Sequence, residues 1–135
     1  MFSKRLSPRA SVLVVDDDPS VRRLLERALR NGGFQPRPAM DIASAKALLE
    51  EGACAVLLDM LFVNSAGLSG LDLLRYIRAD PRYTHLPVVL LTGFTLNPAV
   101  VQEVKSLGAK LCQKPVSPTV LVDRLKELVS LTPCA

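Results

Sequence analysis

Short apolar runs recur along the chain, and each stops at a reactive side chain. Val12 to Val15 leads into Asp16-Asp17-Asp18, Ala53 to Leu58 into Asp59, and Val88 to Leu91 into Thr92. A weaker run, Ala109 to Gln113, leads into Lys114-Pro115. Unbroken apolar runs of this length are what strands buried on both faces look like, and such strands belong to parallel sheets. Between the runs the period changes to that of an amphipathic helix: Val21, Leu24, Leu25, Ala28 and Leu29 share one face, as do Leu71, Leu74 and Ile77, and Leu121, Leu125 and Leu128. Strand-like and helix-like segments in alternation predict an α/β fold built around a parallel sheet.

Five β-then-α units fit. The first helix starts near Pro19 with Asp18 as N-cap and ends at Asn31-Gly32-Gly33. The second unit is a strand over Phe34 to Met40 and a helix over Ile42 to Glu50, capped by Asp41. Pro36 and Pro38 lie two apart, so both missing N–H groups point the same way, which suits an edge strand with one side toward solvent. The third strand, Ala53 to Asp59, precedes a helix over Ser69 to Ala79 that Asp80-Pro81 closes. The fourth strand, Pro87 to Thr92, precedes a helix over Pro98 to Leu107 that Gly108 stops. The fifth strand, Ala109 to Gln113, precedes a helix over Pro118 to Val129 capped by Ser117. Residues 1–10 and 131–135 read as loose tails on one domain, 11–130.

This arrangement has a chemical consequence. In open α/β sheets the ligand site lies outside the carboxyl ends of the strands. Asp16, Asp17, Asp59, Thr92 and Lys114 therefore converge on one sheet edge. Crowded carboxylates resist ionising together, so the cluster wants a cation, and hard oxygen ligands suit Mg²⁺. A lysine and a threonine facing such a site suit a phosphoryl group. Taken singly, Asp18 is an N-cap, Thr92 a local hydrogen-bonding residue and Lys114 a solvated side chain; the joint placement is what carries the phosphoryl reading.

At these residues the chain resembles the receiver domain of two-component response regulators. The motifs are Val14-Val15-Asp16-Asp17-Asp18, Leu57-Leu58-Asp59, Leu90-Leu91-Thr92-Gly93 and Lys114-Pro115, in the family's order, and the likeness runs from about Ser11 to Val129. The resemblance implies a flavodoxin-like, doubly wound (βα)5 fold with helices on both faces of a parallel sheet of order 2-1-3-4-5. It implies a phosphorelay module rather than an enzyme in the ordinary sense. Asp59 would accept a phosphoryl group from a histidine kinase or His-phosphotransfer protein. Mg²⁺ would be held by Asp17 directly, by Asp16 directly or through water, by Asp59 and by the backbone carbonyl of Leu61. Thr92 and Lys114 would contact the phosphoryl group, Pro115 would follow a cis peptide, and two copies would pair through the fourth helix, fifth strand and fifth helix.

Three departures from the family pattern bear on function. The loop after Asp59 has Val63 where receivers place a proline, and if Gly70 is the glycine that precedes the third helix, the loop is about three residues longer than usual. Leu111 stands where the family often has an aromatic switch residue, so the switch is expected to be muted and to centre on the segment after Thr92. Leu61 and Phe94 occupy positions that tune dephosphorylation; both are apolar and neither orients an attacking water, which favours a long-lived phosphoryl state. Two other functions compete. A pseudo-receiver would bind partners without phosphate, but the acidic set and Lys114 are intact. A haloacid-dehalogenase-type phosphatase, with Asp16 as nucleophile and Asp18 as acid/base, would need further metal-binding acids in a loop after Lys114. Only Asp123 and Glu127 follow, both within a helical stretch.

Composition adds little. At 135 residues the chain can bury a real core, and a net charge of +4 reads as a mildly basic surface, with Arg22, Arg23, Arg27 and Arg30 on the first helix available to an acidic phosphodonor. No nucleic-acid module accompanies that charge, so direct nucleic-acid binding is not expected. No run is long enough to span a bilayer and the start lacks a signal-peptide layout. Cys54, Cys112 and Cys134 lack metal-ligand spacing, and Cys54 and Cys112 read as buried small apolar residues, all of which suits a reducing cytoplasm. His85, the sole histidine, reads as surface structure ahead of Pro87.

Overall fold

The computed structural model describes residues 10–60, 69–93, 97–114 and 117–130. Along these the elements alternate: β1 (Ser11–Val15), α1 (Pro19–Asn31), β2 (Gln35–Ala39), α2 (Ile42–Glu51), β3 (Ala55–Asp59), α3 (Gly70–Ala79), a 3-10 turn (Pro81–Tyr83), β4 (Val88–Thr92), α4 (Pro98–Ser106), β5 (Lys110–Gln113) and α5 (Pro118–Ser130). All strand pairs are parallel and the order is β2-β1-β3-β4-β5, so the expected doubly wound topology is met. β2 is the edge strand that its two prolines require. The Gln35 N–H donates to the Ala10 carbonyl and the Ala39 carbonyl accepts from Asp16 N–H, so alternate residues pair with β1 while the backbone nitrogens of Pro36 and Pro38, which carry no hydrogen, face the free edge.

The period of two within the strands sorts the core into two layers. Leu13, Val15, Val56, Leu58, Val88 and Leu90 face α2, α3 and α4, where they meet Ala45, Leu49, Leu74, Ile77 and Val104. Val12, Val14, Ala55, Leu57, Val89 and Leu91 face α1 and α5, where they meet Leu25, Leu29, Leu121 and Leu125. In β3 and β4 every residue is buried, which is why these strands read as continuous apolar runs. The caps are those the side chains dictate. Asp18 accepts from Ser20 N–H at 2.9 Å and Asp41 from Ser44 N–H at 2.7 Å. The 3-10 turn after Asp80 was not foreseen; its Tyr83 hydroxyl donates to the Leu49 carbonyl at 3.1 Å and ties the turn to α2. His85 is exposed, as expected. Cys112 is a buried free thiol, but Cys54, also buried, is disulfide-bonded, so the cysteines do not argue for a reducing compartment. Disulfide pairing depends on proximity in the fold, which spacing along the chain does not reveal.

One close approach ties this scaffold to the sheet edge. A Cβ at Gly70 would lie 2.5 Å from the carbonyl oxygen of Asp59, so the first residue of α3 packs directly on the last peptide of β3. A capping box fixes that helix start: Asp72 Oδ2 accepts from Ser69 N–H at 2.7 Å, and Ser69 Oγ accepts from Asp72 N–H at 3.4 Å. Farther along, Arg78 reaches the carbonyls of Leu107 and Tyr83 at 2.5 and 2.8 Å, holding α3 to the end of α4. Replacing Gly70 by alanine should therefore force α3 away from β3 and destabilise the domain by about 1–3 kcal/mol, as overpacking does. Urea unfolding measures it, and a midpoint equal to that of the parent would show that the contact carries no constraint.

Candidate functional site

Each reactive residue arrives at the site through its strand. Asp59 continues the Ala55 and Leu57 row on the α1/α5 side of the sheet, whereas Thr92 continues the Val88 and Leu90 row on the other side. Asp16 and Asp17 follow β1 directly, and Lys114 follows β5. The backbone closes the edge: Met60 N–H donates to the Leu91 carbonyl at 2.8 Å and Lys114 N–H to the Thr92 carbonyl at 2.6 Å. Asp16, Asp59 and Thr92 are all buried, at 1%, 5% and 3% exposure, while Asp17 is exposed. The expected convergence is therefore present for Asp16, Asp17, Asp59 and Lys114, and Thr92 ends the strand beside Asp59. Leu61, Phe94 and Pro115, named above for metal binding, dephosphorylation and the cis peptide, lie outside the described residues. Leu111, half-buried, packs against the core layer that includes Leu90 and Val104.

Electrostatics define what the site can hold. Asp16, Asp17 and Asp59 each offer a carboxylate oxygen within 4.8 Å of the others. The Lys114 ammonium stands 3.5 Å from Asp59 Oδ1 and is itself half-buried. Burial pushes the Asp16 carboxyl above the usual carboxylate range, with the charges of Asp59 and Asp17 adding to the rise; the Asp18 N–H and the Lys114 charge oppose it. Asp16 Oδ1 accepts that N–H at 2.9 Å, whereas Asp16 Oδ2 is buried and has no hydrogen-bond partner among the described residues. An orphaned anionic oxygen beside two further carboxylates is a hard-cation donor set, made of oxygens alone, and it fits Mg²⁺. Asp18 caps α1, and Asp123 and Glu127 are exposed on α5, away from this cluster, so the donor set of the phosphatase alternative is absent among the described residues.

One participant was misread from sequence. Arg22 looked like one of several surface charges on the first helix. Its guanidinium instead turns back and donates to the Asp16 carbonyl at 3.0 Å, and its side chain is only 15% exposed. A run of arginines carries no signal that separates this one from its neighbours; the separation appears only once the helix is docked.

The cost of the orphaned oxygen can be measured. Without Mg²⁺, Asp16→Asn should be more stable than the parent at neutral pH by about 1–3 kcal/mol, because it removes the charge of a buried carboxylate one of whose oxygens lacks a donor. Added Mg²⁺ should raise the melting temperature of the parent and barely move that of the variant. A variant that melts below the parent in metal-free buffer contradicts this account of Asp16.

The comparisons with known proteins agree with the geometry. The family model described as the response regulator receiver domain matches residues 12–126. The chain is 35% identical over 120 residues to the transcriptional regulatory protein GltR of Pseudomonas aeruginosa, covering 88% of this chain and 48% of that protein. It is 31% identical over 120 residues to the chemotaxis protein CheY of the same species, covering 87% of this chain and 94% of that one. Among solved structures, the chemotaxis protein CheY4 of Vibrio cholerae superposes with a TM-score of 0.77 at 28% identity, covering 90% of this chain and 99% of that chain. The chain thus spans about half of GltR and nearly all of CheY. An acid-lined edge of a β2-β1-β3-β4-β5 sheet, a family match over most of its length and relatives of both kinds together place this chain among the receiver domains of two-component response regulators.

Proposed function

We propose that Asp59 accepts a phosphoryl group from a phosphohistidine on a histidine kinase or phosphotransfer protein, and that the modified domain then presents an altered surface to its partner. One juxtaposition carries the reading: a buried carboxylate at the end of β3, within 4.8 Å of the Asp16 and Asp17 oxygens and 3.5 Å from the Lys114 ammonium. An Asp59 oxygen attacks phosphorus opposite the imidazole nitrogen. The P–N bond breaks as the P–O bond forms, and the electron pair leaves with the imidazole, which is protonated from solvent. Lys114 offers its charge, and Thr92 its hydroxyl, to the phosphoryl oxygens. Asp16, Asp17 and Asp59, with the Leu61 carbonyl that the resemblance adds, would hold Mg²⁺, which when bound neutralises phosphoryl charge. The protein catalyses only this modification of itself and its reversal, and apolar Leu61 and Phe94 favour a slow reversal. A cytoplasmic setting belongs to the same proposal; among the described residues no helix is long and apolar enough to cross a membrane.

A groove of about 430 Å³ opens beside Lys114, lined by Val21, Leu24, Leu25, Leu91, Gly93 and Pro118. Leu24 is 55% exposed on its rim. That placement suits a donor that brings its phosphohistidine over α1. On the far side, a cleft of about 340 Å³ between α4 and β5 is lined by Val101, Lys105, Lys110 and Leu111. This is the face on which a switch would be read, and on which a second copy of the chain would pair.

Incubation with acetyl phosphate and Mg²⁺, followed by mapping of the modified peptide, should find the phosphoryl group on Asp59, and Asp59→Asn should carry no stable modification. Phosphate retained by that variant sinks the assignment. Leu111 has no ring to turn inward. Amide shifts on adding a beryllofluoride mimic should therefore be largest at Thr92, Gly93 and Asn97 to Val101. Shifts centred on Leu111, with those residues quiet, count against this switch.

A further inference from the structure

We infer that Arg22 is a positioning residue for the acidic site: its hydrogen bond to the Asp16 carbonyl sets the turn on which Asp16 and Asp17 stand, and Glu26 steadies it. The inference rests on the Mg²⁺ reading proposed above. The carbonyl that Arg22 holds belongs to the peptide joining Asp16 to Asp17, which is planar. Fixing that plane fixes how Asp17, an exposed residue, is presented beside buried Asp16. Every other described polar contact of Asp16 works toward the same end. Its N–H reaches the Ala39 carbonyl at 3.4 Å, its Oδ1 accepts from Asp18 N–H at 2.9 Å, and its carbonyl accepts from Arg22 Nη1 at 3.0 Å. Oδ2, without a hydrogen-bond partner among the described residues, is left open to a cation.

The position of Arg22 needs such a reason. It lies near the N-terminus of α1, where the helix dipole disfavours a cation, and it folds back at the expense of side-chain freedom. Arg30, on the same helix, leaves 60% of its side chain in water, against 15% for Arg22. Glu26, 16% exposed, stands 3.8 Å from Arg22 Nε and 3.8 Å from the Arg30 guanidinium, one helical turn away on either side. Outer groups that orient metal ligands typically change metal affinity by about 10–100-fold when removed.

The test is calorimetric Mg²⁺ titration of the unphosphorylated protein, beside acetyl phosphate phosphorylation rates followed across Mg²⁺ concentrations. Arg22→Met should weaken Mg²⁺ binding about tenfold and raise the half-saturating Mg²⁺ concentration equally. The rate at saturating Mg²⁺ should stay within about twofold of the parent, because the ligands themselves remain. Arg22→Lys should recover part of the affinity, and Glu26→Gln should lose about two- to threefold, less than the loss of an outer group that contacts a ligand directly. Arg124→Met, which removes the same charge from exposed α5, should bind as the parent does. In metal-free protein, hydrogen exchange should quicken at the Asp18 amide in Arg22→Met without a general loss of protection. Equal Mg²⁺ affinity in parent, Arg22→Met and Glu26→Gln overturns the positioning role, and so does an affinity loss matched by Arg124→Met. If Arg22→Met does not fold, unchanged affinity in Glu26→Gln and Arg22→Lys overturns it. A parent that binds no Mg²⁺ overturns the metal reading, and the inference with it.

Discussion

Three carboxylates at one end of one sheet are a burden that the rest of this molecule is arranged to carry. Asp16 and Asp59 are buried, Asp17 adjoins them, and the Lys114 ammonium is the cation paired with the cluster among the described residues. Like charges at such separations repel more strongly as water is withdrawn. Burial above all, with the charges of Asp59 and Asp17, raises the proton affinity of the Asp16 carboxyl against the opposing pull of the Asp18 N–H and Lys114. The cluster persists because the sheet gives it no freedom to disperse. The acids stand on strand ends whose preceding residues, Val12 to Val15 and Ala55 to Leu58, are locked in a core at 0–1% exposure.

Placement at that edge depends on backbone contacts more than on the acids themselves. The Asp59 peptide is backed by Gly70, where no Cβ fits, so the start of α3 serves as a wall behind Asp59. The peptide between Asp16 and Asp17 is held from α1 by Arg22. From α3 the contacts continue outward: Arg78 to the Leu107 carbonyl, and Arg75 to Glu103 at 2.6 and 2.8 Å. The exposed Arg75–Glu103 pair contributes little to stability, roughly 0–1 kcal/mol. Its bidentate geometry nevertheless links α3 to α4, the helix beside β5.

Much of this is legible in the sequence alone. Buried parallel strands announce themselves as apolar runs, and the residue that ends each run is the one a ligand meets. Asp16, Asp17, Asp59, Thr92 and Lys114 could therefore be grouped from position alone. The prolines of β2 named an edge, and that reading held because backbone pairing is periodic. Helix ends were read to within two residues because Asp18, Asp41, Ser69 and Gly108 act locally. What escaped was non-local. Arg22 differs from Arg23 only through the docking of α1, the state of Cys54 only through the fold, and the 3-10 turn at Pro81 only through the anchoring of Tyr83 on α2.

The energetic sense of the site lies in its incompleteness. A carboxylate oxygen with no donor lowers the stability of the resting protein, and a fold can afford this only where the rest of the core is tight, as the two layers around this sheet are. The same deficit makes the site selective. A cation that meets Asp16 Oδ2 relieves repulsion among all three acids at once, so part of the stability withheld at folding returns on binding. Under the function proposed above, Asp59, 3.5 Å from the Lys114 ammonium, would take up a phosphoryl group where charge is already being balanced, and the strand end and the helix start packed against it would be the first to meet the change. Filling the deficit with a neutral, well-bonded side chain would give a firmer domain with no differential between empty and loaded states, and without that differential no ligand can shift the conformation.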